Sequence, residues 1–214
     1  MFHLRKLALA SAMALAAGAV QAQNSSIIFA MQLEPPHLDP TSAAAQAIDS
    51  VVYANIFEGL TRFEGDGSIV PALAKSWEIS EDGLTYTFKL QEGVKFHDGT
   101  DMTAEDVKFS LDRAVAEDSQ NAQKALFAAI QSVEVVDPTT VKSTLSEPNG
   151  NLLFNLAWGD AVIVAEESIA DIKTKPVGTG PYTFQSWTQG DNIQIARNPD
   201  YWGPQPQMET ATFK

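Results

Sequence analysis

Residues 59–113 read GLTRFEGDGSIVPALAKSWEISEDGLTYTFKLQEGVKFHDGTDMTAEDVKFSLDR. This stretch decides the fold class because both structural periods occur in it. In residues 85–90, Tyr86, Phe88 and Leu90 share one face, and Thr85, Thr87 and Lys89 share the other. That is the period of a half-buried strand. In residues 76–80, Trp77 and Ile79 share a face. Glu81-Asp82-Gly83-Leu84 joins the two runs as a hairpin, with glycine supplying a positive φ. Residues 60–64 predict a further short strand, and Asp66-Gly67 a turn. The period then changes. Val107, Leu111 and Val115 recur every four residues, so a helix buries one face there. Thr103 opens that helix by accepting from a free backbone N–H, and Glu105 and Asp106 sit at the positive end of its dipole. The apolar sheet face needs more sheet around it. Strands and amphipathic helix together make the chain mixed α/β.

Upstream, residues 27–31 predict a buried first strand. Residues 32–40 contain three prolines, which exclude regular structure and leave a stiff extended loop. From 43 to 57 the pattern is helical, with Ile48, Val51 or Val52, and Ile56 in one stripe and Gly59 as the stop signal. Downstream, a second helical stretch is expected over 121–130. A hairpin follows, 132–136 with 140–145, around Asp137-Pro138. Helix is expected at 152–156, strand at 161–165 and a short helix at 166–171. Strands are expected at 182–187, 192–197 and 209–213. Pro148-Asn149-Gly150 is the clearest local break and reads as a boundary between subdomains.

The first 22 residues read as a secretory signal peptide. Arg5 and Lys6 precede an apolar run from Leu7 to Val20, and Val20-Gln21-Ala22 offers small residues for cleavage. A membrane anchor is the alternative, but the run is short for a span. The mature start is expected at Gln23, leaving 192 of the 214 residues, enough for one domain with a core. There is no cysteine. An exported domain of this kind is held without disulfides, and no cysteine follows the signal to carry a lipid. A periplasmic protein that is not a lipoprotein is the expectation. Losing Arg5 and Lys6 takes the formal charge from −13 to −15. Such an acidic surface disfavours nucleic acid and anionic lipid.

Catalytic groups are scarce. Covalent catalysis needs a nucleophile beside a base. The chain has no G-x-S-x-G elbow, and only His37 and His97 lie beyond residue 22. Both stand beside proline or turn residues and read as polar loop side chains. The fragments His37-Leu38-Asp39 and His97-Asp98 fall short of a metal-ligand set, and no H-E-x-x-H or acidic Ca²⁺ loop is present. No catalytic residue, metal or cofactor is assigned. Val177-Gly178-Thr179-Gly180-Pro181-Tyr182 lacks the Lys-Ser/Thr of a phosphate loop and leads into a strand. It reads as a crossing where two backbones approach too closely for a Cβ. Trp77, Trp187 and Trp202 read as core. Trp158, in Leu156-Ala157-Trp158-Gly159-Asp160, lies between a helix and a strand, where an aromatic side chain is either core or cleft lining.

Several short motifs stand in order: Leu38-Asp39-Pro40; Phe57-Glu58-Gly59-Leu60; Pro71-Ala72-Leu73-Ala74 with Ser76-Trp77-Glu78; Gly83-Leu84-Thr85-Tyr86-Thr87-Phe88; Gly93-Val94-Lys95-Phe96-His97-Asp98-Gly99; Thr103-Ala104-Glu105-Asp106-Val107; Gly178-Thr179-Gly180-Pro181-Tyr182; and Asn198-Pro199-Asp200-Tyr201-Trp202-Gly203. The ordered set resembles family 5 of the extracellular solute-binding proteins, which includes dipeptide-, oligopeptide- and nickel-binding members. The resemblance implies a class II periplasmic-binding-protein-like fold, whose two lobes close over a solute and deliver it to a membrane permease of an ABC importer. Residues 23–214 would be an incomplete N-terminal lobe, with mixed sheets flanked by helices and the second lobe absent. Such a chain would be monomeric, form one wall of a cleft and bind weakly alone. A di- or oligopeptide is the implied ligand; nickel, haem or an oligosaccharide is the alternative within the family. Outside it stand a secreted interaction module, a non-functional truncated product and a secreted hydrolase.

In related binders the loop after Leu-Asp-Pro contributes to the cleft. Here it is Thr41-Ser42-Ala43-Ala44-Ala45-Gln46, without the acidic residue that some oligopeptide binders place there for a peptide's ammonium. Ala44, Ala45, Gln46, Trp158 and Asp160 are the expected cleft residues. The loop and Trp158 are expected on one concave surface.

Overall fold

The computed structural model describes residues 25–214. The expected signal peptide lies outside the described residues. Ten strands and four short α-helices follow in order: β1 Ser26–Phe29, α1 Gln46–Val52, β2 Thr61–Phe63, β3 Ile69–Pro71, β4 Ala74–Ile79, β5 Thr85–Leu90, α2 Ala104–Val115, α3 Lys124–Phe127, β6 Ile130–Asp137, β7 Thr140–Leu145, α4 Leu152–Asn155, β8 Tyr182–Thr188, β9 Asn192–Arg197 and β10 Thr210–Phe213. Two single-turn 3₁₀ helices, Gly159–Ala161 and Glu166–Ser168, lie between α4 and β8. No helix among the described residues is long and apolar enough to cross a membrane.

One four-stranded sheet has the order β4-β5-β7-β6 and is antiparallel throughout. The hairpin between β4 and β5 turns at Gly83, whose φ of 71° lies in the left-handed region that glycine enters without cost. Tyr86, Phe88 and Leu90 are buried as their alternation requires. α2 covers this core with Val107 and Leu111, while Val115 is partly buried against it. Its start is the expected cap: Thr103 Oγ1 accepts from Glu105 N at 3.3 Å, and Asp106 Oδ2 accepts from Thr103 N at 2.8 Å.

The other four-stranded sheet has the order β1-β10-β9-β8. β1 and β10 pair in parallel, and the remaining neighbours are antiparallel. Its core joins Ile193, Ile195, Ala211 and Phe213 to the stripe Ile48, Val51, Val52 and Ile56. A two-stranded ribbon, β2-β3, completes the set.

Several expected elements change. β1 is an exposed edge rather than a buried strand, with Ile28 67% exposed. The helix from 43 to 57 shrinks to α1 and stops at Tyr53, because Ala54 turns left-handed at φ 57° and lets Ile56 N and Phe57 N both bond Val52 O at 2.9 Å. Gly59 is therefore no helix stop; a Cβ there would lie 2.7 Å from Leu156 O. Of residues 121–130, only α3 is helical, and Ile130 already belongs to β6.

Of residues 161–165, Ala161 closes the preceding 3₁₀ turn, and 162–165 are extended but pair with no strand. Ala161, Ile163 and Ala165 enter one core, while Val162 and Val164 enter the other. Their period of two is real, yet both faces are covered by packing rather than by a ladder. Ile163 N instead donates to Glu58 O at 2.8 Å, and Val164 N to Ser110 Oγ at 2.9 Å. Those bonds answer the demand that buried backbone groups be paired.

Candidate functional site

The loop before α1 is fixed from beneath. Asp39 is almost fully buried; its Oδ1 accepts from Thr41 N at 2.9 Å and from Thr41 Oγ1 at 2.6 Å. Arg113, on the last turn of α2, reaches Asp39 Oδ2 at 3.4 Å and also bonds Thr41 Oγ1. A buried carboxylate tied to an arginine sets where Leu38-Asp39-Pro40 ends and therefore where the following loop emerges. Ala45, in an extended conformation, precedes the first turn of α1.

α1 turns Ile48, Val51 and Val52 inward. By helical spacing, Gln46, Asp49, Ser50 and Tyr53 form the opposite, outward face. On one flank, Gln46, Ala47 and Ser50 border an open cleft of about 620 Å³. Phe29, Met31 and Tyr182 line its other side. On the other flank, Tyr53 Oη donates to Ala157 O at 2.5 Å. Asp49 presses against Gly159, where a Cβ would lie 2.4 Å from Asp49 Oδ1. Asp160 follows, 6% exposed, with its Oδ1 buried and without a hydrogen-bond partner. Its backbone carbonyl accepts from Asn121 Nδ2 at 2.8 Å. Burial pushes the Asp160 carboxyl up to about 6, and the charge of Asp49 adds to the push. Burial raises Asp49 as well.

Trp158 is 39% exposed and stands at the edge of this turn. Its ring packs edge-on against Phe63 of β2 at 6.1 Å and against Phe154 of α4 at 6.2 Å. Of the residues expected from the sequence, Gln46 lines the cleft on one flank of α1, and Ala44 and Ala45 lead into it. Trp158 and Asp160 lie at the turn met by the other flank. α1 stands between the two groups.

Asp49 and Tyr53 were not among the expected residues. Their one trace in the sequence is the i, i+3, i+7 spacing from Gln46, which places all three on the outward face.

The other motifs prove to be joints. Glu58 is a half-buried carboxylate without a basic partner among the described residues. It accepts from Thr179 Oγ1 at 2.9 Å, Tyr201 Oη at 2.8 Å and Trp202 Nε1 at 2.9 Å. Burial raises its pKa against the pull of these donors. Gly178 and Gly180 make the close backbone crossing that the sequence predicts, and the segment they cross is Asn55-Ile56: Cβ atoms there would lie 2.0 Å from Ile56 O and 2.4 Å from Asn55 O. His97 holds the same crossing. Its Nδ1 accepts from Gly178 N at 3.3 Å, so Nε2 carries the proton toward Gly180 O at 2.9 Å. Burial lowers its pKa and keeps it neutral. His37 stays in its loop, where Nδ1 accepts from Asp39 N at 3.2 Å. Trp77 and Trp202 pack partly buried against the first core and Trp187 against the second. The Trp187 Nε1 also donates to Glu34 at 2.7 Å.

Residues 68–214 match the model of bacterial extracellular solute-binding proteins, family 5, middle. The chain belongs to that family. Among its family 5 relatives, the glutathione-binding protein GsiB of Pectobacterium atrosepticum is 38% identical over 182 residues, which cover 83% of this chain and 35% of that protein. GsiB of Escherichia coli K12 is 35% identical over the same span. Among solved structures, the periplasmic binding protein DppA of Helicobacter pylori, in complex with the peptide STSA, superposes with a TM-score of 0.82 at 30% identity, over 88% of this chain and 42% of that one. NikZ of Campylobacter jejuni, in complex with Ni(L-His), gives 0.81 at 29%, over 90% and 39%. The fold is thus that of class II periplasmic binding proteins, and the chain spans only 35–42% of these relatives. Family members are solute-binding transport proteins rather than enzymes.

Proposed function

We propose that this chain is the ligand-facing N-terminal lobe of the periplasmic component of an ABC importer for short peptides. The observation that carries the reading is the outward face of α1, flanked by a cleft on one side and the 157–160 turn on the other, in a chain of family 5. The names of its relatives favour peptides, glutathione among them. Ala44, Ala45, Gln46, Trp158 and Asp160 form part of one wall of the binding cleft. Residues 1–22 are removed as a signal peptide, and the mature protein is a periplasmic monomer without a lipid anchor that hands its solute to the permease. Nickel complexes, haem and oligosaccharides are the rival ligands.

Lobe closure supplies contacts from both walls, so one wall alone binds weakly. Calorimetry of the chain with glutathione and mixed di- to pentapeptides is expected to show little heat. Micromolar affinity would overturn the one-wall reading. Grafting residues 25–214 in place of the matching part of the Pectobacterium GsiB restores micromolar binding of a short peptide. A graft that folds by circular dichroism and binds none of these peptides would overturn the peptide assignment.

A further inference from the structure

We propose that His97 is an acid-sensitive latch between the two four-stranded sheets: as the neutral imidazole it locks the loop Gly178-Thr179-Gly180, and on gaining a proton it lets that loop go.

The hydrogen-bond geometry carries the inference. Three bonds join His97 to the loop. Its backbone N–H donates to Gly178 O at 2.9 Å, and its two ring nitrogens take opposite roles on either side of Thr179. Gly178 N can only donate, so Nδ1 must be bare to receive it. Gly180 O can only accept, so Nε2 must carry the hydrogen. One neutral tautomer satisfies both contacts. The imidazolium cannot, because both of its nitrogens are donors. Protonation therefore sets Nδ1–H against Gly178 N–H. Gly178 is buried, and its N–H has no other acceptor among the described residues. A buried donor stripped of its acceptor is costly, and opening the loop to water relieves that cost. Asn198 Nδ2 also donates to Gly180 O, at 3.2 Å, but an amide does not titrate and leaves Gly178 N–H untouched.

The latch spans the two regions of the molecule. Val94 and Phe96, just before His97, are anchored in the core under β4-β5-β7-β6. The loop on the other side leads into β8 at Tyr182. Gly180 N also donates to Ile56 O and Tyr182 N to Asn55 O, both at 2.9 Å. Release at His97 thus reaches the residues that follow α1, whose outward face is the wall proposed above. That last consequence rests on the cleft reading; the latch itself does not.

One charge of each sign stands near the ring. The Asp98 carboxylate comes from the same turn, and the Lys175 ammonium borders the groove that His97 and Asp98 line. β8 adds only the uncharged Thr183, Phe184 and Gln185 to that groove. Glu58 grips Thr179 from the far side of the loop. Burial lowers the His97 pKa below 6.5 by more than the Gly180 bond and the Asp98 charge restore. The unfolded chain therefore takes the proton more readily. The latch contributes fully above pH 6.5, and its contribution is lost as the pH falls below that value.

The test is long-range proton–nitrogen NMR of the histidine rings, together with amide hydrogen exchange, on the labelled chain from pH 8 to pH 4. Signals lost in His37→Gln and in His97→Asn assign the rings. His97 is expected as the Nε2–H tautomer with a titration midpoint below 6.5. Protection of the Gly178 amide, corrected for intrinsic exchange, is expected to fall at least tenfold with that same midpoint, while amides at the centre of β5 and β7 keep theirs. His97→Asn puts an amide oxygen where Nδ1 accepts and has no proton to gain, so its Gly178 protection should not depend on pH. Where that variant does not fold, the ring and amide titrations of the unaltered chain decide. A midpoint at or above 6.5, the Nδ1–H tautomer, Gly178 protection that ignores the ring, or the same acid loss in a folded His97→Asn chain would each overturn the latch. None of these outcomes touches the peptide reading, which the graft tests separately.

Discussion

The sheets β4-β5-β7-β6 and β1-β10-β9-β8 have equal numbers of strands but close in different ways. Every strand of the first comes from one stretch of chain, and every pair is antiparallel. Hairpins make two of its three pairings, and α2, from the same stretch, covers the core. The second sheet takes β1 from the beginning of the described chain and β10 from its end, and pairs them in parallel. It depends on crossings from elsewhere: Gly178 and Gly180 over Ile56, His97 beneath them, and Glu58 gripping Thr179, Tyr201 and Trp202. Local sequence builds the first region, and distant joints build the second.

If that contrast holds, damage at a joint should exceed damage on an open loop. Gly178→Ala drives a Cβ to 2.0 Å from a backbone carbonyl, which has no flexible end to move aside. It is expected to cost about 4 kcal/mol or more, in the range reserved for severe core lesions. Gly150→Ala, with nothing within 4 Å of its Cβ position, is the control and should change stability by less than ~0.5 kcal/mol. Urea unfolding of both variants measures the difference. Equal midpoints would remove the claim that the crossing holds the two regions together.

Glu58 comes next. Glu58→Ala leaves one indole N–H and two hydroxyls without their acceptor. Stranded buried donors cost about 1–3 kcal/mol each before water enters, so a net loss of roughly 2–4 kcal/mol is expected. Glu58→Gln keeps an acceptor and should lose about half as much. A loss identical for both variants would mean that packing, not the three-donor grip, does the holding.

The same contrast decides what was legible. The hairpins at Gly83 and at Asp137-Pro138, the cap at Thr103 and the stripe Val107-Leu111 could be read because each signal and its cause lie within a few residues. The Gly178–Gly180 crossing was legible as a close approach, because its glycines served no other motif, but its partner Ile56 was not. Residues 161–165 misled by showing a strand's alternation between two cores that no local pattern reveals. β3 escaped notice because three residues ending in Pro71 carry little period. In the candidate site, Trp158 stood out by loop context, and Gln46 only through the resemblance of the loop after Leu38-Asp39-Pro40 to that of related binders. Asp49 did not, since its meaning depends on Gly159, distant in sequence and touching only after folding.

Asp160 gives a smaller effect with a sign set by pH. Folding raises its pKa from 3.8 to about 6, so the folded chain holds the proton more tightly than the unfolded one between those values. The buried carboxylate therefore costs stability above pH 6, and the cost fades as pH falls toward 4. Asp160→Asn removes the charge. It is expected to stabilise the free chain at pH 8 by about 1–3 kcal/mol, as a shift of this size implies, and to give almost no gain at pH 4. Melting curves at the two pH values check this. A gain independent of pH would show that the asparagine packs better rather than that a buried charge was relieved.

The smallest effect tests the exposed edge of the second sheet. β1 has a partner on one side only, and Ile28 points outward at 67% exposure beside Phe29 at 45%. An unpaired strand with exposed apolar side chains is a template for pairing with another chain, and lysine on such an edge opposes it. Ile28→Lys should leave stability within ~0.5 kcal/mol, since the side chain buries little. It should still reduce self-association in sedimentation runs at high protein concentration. Ile79→Lys, on the β4 edge of the first sheet at 47% exposure, is the matched comparison. The β4 ladder is interrupted by a register shift between Ala74 and Ser76, and such bulges twist an edge away from pairing, so the substitution there should change association less. Equal effects at the two edges would mean that exposed area alone governs association and that the way each sheet closes does not matter to it.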